Sequence, residues 1–161
     1  MTSALPTRLA PLDPGHPGAQ ALIAQSEALM SALYPSESNH FEPADGLRPP
    51  HGSFYGVWVG ERLVGCGGVK LVEAGGYGEI KRLFVLDSER GRGIARLLMA
   101  RLEADLAGRG LGLARLETGI RQPEALALYR RLGYAERGPF GGYALDPLSV
   151  FFEKRLEPAT H

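Results

Sequence analysis

A chain of 161 residues can bury one hydrophobic core and is short for two. Its 44% hydrophobic and 22% charged content is ordinary for a globular protein, and 18 basic against 18 acidic side chains exclude the basic excess of a general nucleic-acid binder. Cys66 is the one cysteine, so no intrachain disulfide is available. No apolar run approaches the roughly 18 residues of a membrane span, and the first residues lack the apolar core of a secretory signal. The expectation is a single domain over 1–161 in the cytoplasm, with no membrane and no nucleic-acid partner.

Arg8 to Leu12 reads as a short strand, stopped by Asp13-Pro14-Gly15. Pro17 to Leu33 has helical periodicity, with Leu22, Ser26, Leu29, Met30 and Leu33 on one face, and Pro35 ends it. Tyr34 to His51 is polar and proline-rich; it is either a functional loop or a plain connector. Ser53 to Val59 and Arg62 to Leu71 read as a hairpin around Gly60-Glu61, and Gly65, Gly67 and Gly68 mark a bulge or close packing in its second strand.

Gly78 to Glu103 is the organising stretch. Glu79 to Val85 is a strand; Arg90-Gly91-Arg92-Gly93-Ile94-Ala95 turns into a helix carrying Ile94, Leu97, Leu98 and Leu102 at helical spacing. A helix start has unpaired N–H groups and a positive dipole end, and glycine lets an anion approach them closely, so this turn is a ready phosphate seat. Arg82, Arg90, Arg92 and Arg96 form a local basic cluster there. The helix should end at Gly108 to Gly110; Arg101 and Asp105, four apart near its apolar face, read as a pair on an end that projects past the sheet. Leu111 to Thr118 is a further strand. Gln122-Pro123-Glu124 starts a short helix with Ala125, Leu128, Tyr129 and Leu132 on one face and Gly133 as its stop. Tyr134 begins a strand region, Pro139 to Pro147 is an excursion, and Ser149 to Glu153 is a final strand. The order β-α-loop-β-β-β-α-β-α-β-β implies a mixed sheet with parallel pairing across the first crossover.

Two segments in this order carry a resemblance. Arg90-x-x-Gly93-x-Ala95 after a strand is similar to the acetyl-CoA-binding signature of the GCN5-related N-acetyltransferase (GNAT) superfamily. The segment QPEALALYRRLGY resembles that superfamily's Asn-x-x-Ala-x-x-Leu-Tyr-x-x-x-Gly-Phe/Tyr motif, with Gln122 in place of the asparagine. The likeness spans about Ser53 to Glu153. It implies the GNAT fold, an α/β arrangement with a mixed, mostly antiparallel sheet and two splayed parallel strands flanked by helices. It also implies an acetyl-CoA-dependent N-acetyltransferase acting by direct attack in a ternary complex on a small primary amine, with a homodimer as one possible assembly. The alternatives are a protein N-terminal or lysine acetyltransferase and a non-catalytic acyl-CoA-binding module.

The resemblance implies that backbone N–H groups from Arg90, Gly91, Arg92, Gly93, Ile94 and Ala95 hold the CoA pyrophosphate. Leu83, Phe84 and Val85 would hold the pantetheine arm and thioester through their backbone, with Gln122 and Ala125 alongside. Tyr129 would be the general acid that protonates the departing thiolate; its plain reading is a core tyrosine, and the two are compatible. Glu79 is the base candidate. It lies six residues before Val85, with odd positions from 79 to 85 expected on one face, and its plain reading is an ion pair with Lys81. Cys66 reads as sheet packing. His16, His40, His51 and His161 show no metal spacing, so no metal is expected. The acceptor pocket is sought in Tyr34 to Phe41, where Glu37 would attract an ammonium, and in Pro139 to Tyr143, where Tyr143 would line it; a solvated surface is the equal alternative for both residues.

Overall fold

The computed structural model describes residues 5–39 and 44–157. Seven strands form one sheet in the order β1-β2-β3-β4-β5-β7-β6. They are β1 (Thr7–Pro11), β2 (Gly52–Val59), β3 (Arg62–Val72), β4 (Tyr77–Val85), β5 (Leu113–Gly119), β6 (Ala135–Arg137) and β7 (Ser149–Arg155). The helices are α1 (Pro17–Leu33), α2 (Ile94–Gly108) and α3 (Pro123–Arg131). Every strand pair is antiparallel except β4 with β5, as the crossover through α2 requires. Among the described residues no helix is long and apolar enough to cross a membrane.

α2 covers one face of the sheet. Leu98, Met99, Leu102 and Leu106 are fully buried against Val57, Val64, Val69, Leu116 and Phe152. Each such side chain contributes about 1.5–3 kcal/mol by leaving water. The contact is close: a Cβ on Gly78 would lie 2.2 Å from Leu106, so the strand must present a hydrogen there. Leu106 is two residues from the end of α2, which therefore lies on the sheet rather than projecting past it as expected. Arg101 and Asp105 do pair, 3.6 Å apart, but over the sheet edge: the Tyr55 hydroxyl donates to Asp105 and the Arg101 guanidinium sits over the Tyr55 ring.

α1 covers the opposite face through Ala19, Leu22 and Ile23, packed with Phe54, Cys66 and Phe84. The expected stripe drifts off this contact. Leu29 is 36% exposed, and Leu29, Met30 and Leu33 line a cleft beside the sheet. Cys66 is fully buried, which pushes its thiol up to about 12; it is a packing residue. The excursion before β7 folds Phe140 onto Tyr77 and Phe151 and makes a third small core on this same face.

Two irregularities position the site. First, β4 and β5 pair over only three positions, ending at Glu79↔Arg115. Beyond them β4 stays with β3 to Val85 and β5 stays with β7 to Gly119, so the facing edges part into a cleft. Backbone groups on those edges have no strand partner across the gap and must find one in a ligand or in water. Second, the β3–β4 register shifts between Cys66 and Gly68, and Arg82 adopts φ 60°. This is a bulge, which bends its strand and breaks its alternation; the left-handed backbone of a non-glycine residue costs roughly 1–3 kcal/mol. The expected shared face from 79 to 85 is therefore wrong. Gly78 and Ile80 face α2, so Tyr77, Glu79 and Lys81 face the other way. Past the bulge, Leu83 and Val85 pack on the α2 side and Phe84 on the α1 side.

Candidate active site

A cleft of about 710 Å³ runs between the parted strands. Its lining includes Glu79 to Val85, Leu116 to Gly119, the α1 residues Ser26, Leu29, Met30 and Leu33, and Arg90, Gly91 and Ala95 at the turn into α2. Gln122, Ala125, Leu128 and Tyr129 line it from the α3 side.

One end is built of backbone. Gly91 and Gly93 have φ 84° and 77°, the region glycine enters without penalty. Nothing lies within 4 Å of where their Cβ atoms would be, so both present open backbone. Gly93 caps α2 without a side-chain hydrogen bond, and the Leu97 N–H bonding to the Gly93 carbonyl is the first helical bond. The N–H groups of Ile94, Ala95 and Arg96 precede it, at the positive end of a 15-residue helix. Ile94 anchors the turn with a buried side chain. The expected arginine cluster does not assemble here. Arg90 is held by Glu124 and by Asp87 at 3.4 Å, Arg92 by Glu89 at 3.1 Å, and Arg82 turns away toward α1. Acidic partners offset all three of these charges, so what the turn leaves open to an anion is its backbone N–H groups and the helix dipole. An open glycine turn at the mouth of a long cleft fits a pyrophosphate with an extended arm.

Tyr129 of α3 lines the same cleft and is 7% exposed. Its ring is fixed against Tyr134 at 6.0 Å and Phe152 at 5.9 Å. Burial, with a smaller contribution from Glu117's charge, raises its pKa, so the phenol stays protonated across the neutral range. It is both a core tyrosine and a cleft residue. Gln122 accepts from the Tyr34 hydroxyl at 3.3 Å, and Tyr34 in turn accepts from the Arg121 N–H at 3.0 Å. The Tyr34 ring closes over Gly119, where a Cβ would lie 1.9 Å from its hydroxyl oxygen. The Arg121 guanidinium donates to the Leu33 carbonyl, completing a clasp between the end of α1 and the β5–α3 turn.

The other end is built of side chains. Glu79 is 5% exposed; it accepts from the Tyr143 hydroxyl at 2.5 Å and lies 3.5 Å from the Lys81 ammonium. Lys81 also donates to the Tyr143 hydroxyl at 3.2 Å. Arg82, forced into the cleft wall by the bulge, bonds Glu27 of α1 at 2.8 Å. On β5, Arg115 stacks over Tyr77 and Glu117 accepts from Ser149 at 2.8 Å, so both share the face that carries Glu79.

Sequence reasoning brought together Glu79, Tyr129, Tyr143 and the glycine turn in one cleft. Of the two readings of Glu37 the solvated surface holds: it is exposed and outside the lining, and the turn at Ser36–Ser38 offers Ser38 and Asn39 to the cleft instead. His40 and Phe41 of the same expected loop lie outside the described residues. Sequence reasoning missed Glu117; it had Lys81 as the ion-pair partner of Glu79, which the 3.5 Å contact bears out, Arg82 only as part of the arginine cluster, and Tyr34 only as the start of the acceptor loop. Glu117 had a signal: in Leu113–Gly119 the polar residues alternate with Ala114 and Leu116, which puts Arg115 and Glu117 on the face opposite α2.

A parted parallel strand pair opening onto a glycine turn and the N-terminus of a 15-residue helix is the arrangement that the two sequence segments implied. The chain belongs to the acetyltransferase (GNAT) family, whose family model matches residues 21–134. It is 44% identical over 135 residues to a protein of Azospirillum brasilense named IAA acetyltransferase, covering 84% of this chain and 88% of the relative. It is 35% identical over 143 residues to the uncharacterised N-acetyltransferase YedL of Escherichia coli K12, covering 88% and 89%. Among solved structures it superposes with a TM-score of 0.80 and 37% identity on a proposed acyl-CoA N-acyltransferase of Klebsiella pneumoniae, over 94% of this chain and 98% of that one. At 13% identity, the PaiA N-acetyltransferase of Thermoplasma acidophilum, solved with coenzyme A, shares the fold with a TM-score of 0.70.

Proposed function

We propose that this acetyltransferase moves an acetyl group from acetyl-CoA to the primary amine of a small molecule, with both bound at once. The observation that carries the reading is the single cleft joining the glycine turn, the unpaired edge of Leu83 to Val85, Tyr129 and Glu79. Acetyl-CoA supplies the activated acyl carbon. The backbone from Arg90 to Ala95 holds its pyrophosphate, and Leu83, Phe84, Val85, Gln122 and Ala125 flank its arm. Backbone N–H groups on the open β4 edge favour the negative charge that grows on the carbonyl oxygen during attack. The amine nitrogen bonds to the acyl carbon while the carbon–sulfur bond breaks. The ammonium gives one proton to Glu79, directly or through water, before its lone pair attacks; the departing thiolate takes a proton from Tyr129, and the second amine proton leaves the new amide nitrogen to restore the Tyr129 phenol.

A specific observation favours a second carboxylate for the base. Glu79 pairs with Arg115, the last paired position, and Glu117 lies two residues further along β5, in the same lining as Leu83 and near enough to Tyr129 for its charge to act on the phenol. Two strand residues span about 6–7 Å, a separation that matters for a direct proton transfer.

The name of the Azospirillum relative, with IAA as its acceptor, supports a small acceptor over a protein one. Thiol release from acetyl-CoA in the presence of an amine panel tests the reading. Acceptor-dependent release with an acetylated amine in the mass spectrum is expected. Acetyl-CoA binding without acceptor-dependent release would mark a binding module.

A further inference from the structure

We propose that the acceptor is an amino acid, an amine that also carries a carboxylate, and that Arg82 receives that carboxylate. This rests on the N-acetyltransferase reading above and narrows it.

Three observations converge. The first is what the bulge accomplishes. In an unbroken strand the side chain at 82 would follow Gly78 and Ile80 onto the face packed by α2, an apolar interior closed to a guanidinium. The register shift and the φ of 60° instead turn Arg82 to the α1 side, where it lines the cleft. Arg82 is the one non-glycine residue with positive φ among the described residues. Backbone strain of this kind collects where a side chain must be aimed.

The second is how the guanidinium is held. Its side chain is 11% exposed, and Glu27 accepts from it at 2.8 Å. Glu27 therefore fixes the orientation of a planar fork with five N–H donors, enough to serve Glu27 and a ligand carboxylate together. A nearly buried, pre-oriented guanidinium is the group that reads a carboxylate's geometry; a lysine would supply only a point charge.

The third is the charge arrangement of the acceptor end. Glu79 and Glu117 face Lys81, Arg82 and Arg121 within one lining. With Glu27 bonded to Arg82, three carboxylates stand against these three cations, so a polyamine would meet no net negative charge. A zwitterion meets both signs, its ammonium toward the carboxylates of the sheet and its carboxylate toward Arg82 beneath α1. Leu29, Met30 and Leu33 form the adjoining wall, which suits an apolar side chain on the amino acid.

The test uses the purified full chain, acetyl-CoA and thiol release, with leucine and methionine each compared with its carboxamide, and with putrescine and spermidine as carboxylate-free amines. For the wild type, kcat/KM is expected to be at least about tenfold higher for each amino acid than for its amide, the difference appearing mainly in KM. Arg82→Met should bring the acid-to-amide ratio close to one, and Arg82→Lys should restore it only in part. Calorimetry with acetyl-CoA accompanies each variant, so a folding defect is recognised by lost cofactor binding. The wild-type comparison decides the matter even if a variant fails to fold. Amides turned over as fast as acids, or a polyamine preferred to both, would overturn this proposal alone. Acetyl-CoA binding with no release for any amine would overturn the small-amine reading and this one with it.

Discussion

The two ends of the cleft are made of different material. The end at Gly91 to Ala95 and Leu83 to Val85 offers backbone: glycines in the left-handed region, a helix start, and a strand edge without a partner. The end at Glu79 offers side chains drawn from β4, β5, α1 and the excursion before β7, tied together by Tyr143 and Arg82. A backbone site is indifferent to most substitutions along it and vulnerable at its glycines. A side-chain site can be rewritten residue by residue without disturbing the first. One scaffold can thus keep a common acyl donor and change its acceptor.

The comparison is most sharply tested where the ends meet. Tyr129→Phe removes the proposed proton donor while keeping the ring that packs on Phe152 and Tyr134. Turnover should fall by about 10²–10⁴, with acetyl-CoA affinity retained; full activity in the variant would strip Tyr129 of its role. Burial raises the tyrosine's pKa, so the acid form is the active one and activity should not decline until the pH passes the ordinary tyrosine value of about 10. A loss of kcat near neutral pH on the alkaline side that Tyr129→Phe abolishes would contradict the direction of that shift.

Glu79→Gln and Glu117→Gln divide the base role. The substitution that removes the base should lower kcat by about 10²–10⁴ and erase the fall in rate toward acid pH. The other should act mainly through KM. Equal, mild effects from both would move the proton to water or to the acceptor itself.

How much of this was readable beforehand follows the same division. Positive-φ glycines and a helix start are local requirements, so RGRGIA and the helix behind it were legible from a few residues. The order of elements along the chain and the parallel crossover were legible too, because each element carries its own periodicity; the place of β7 between β5 and β6 in the sheet was not. The bulge at Arg82 was not. It is a property of the pairing between β4 and β3, and the glycines at 65, 67 and 68 announced an irregularity without saying which strand would bend. The contact between Glu79 and Tyr143 joins residues 64 apart in sequence, and Tyr34 reaches Gln122 across 88. Neither has a local pattern. The end of α2 was misread because Arg101 and Asp105 look like surface charges until Tyr55 is placed beneath them.

The smallest expected effect concerns the clasp rather than the chemistry. Gly119→Ala puts a methyl group into the Tyr34 phenol, which is buried and hydrogen-bonded on both sides. Overpacking of this kind costs about 1–3 kcal/mol, visible as a lowered denaturation midpoint, and Tyr34→Phe in the same background should relieve part of it. An unchanged midpoint would show that the clasp yields at no cost.

The central claim is that a backbone end holds the donor and a side-chain end holds the acceptor. Titration calorimetry of acetyl-CoA into Gly93→Val and Glu79→Gln tests it most directly. Gly93→Val forces a β-branched residue into a φ of 77° at the anion seat and should raise the Kd by about 100-fold or more, with the fold intact by circular dichroism. Glu79→Gln should leave the Kd within about twofold of the wild type, because the side chain it alters belongs to the other end. Unchanged affinity in Gly93→Val, or a comparable loss in Glu79→Gln, would contradict the account.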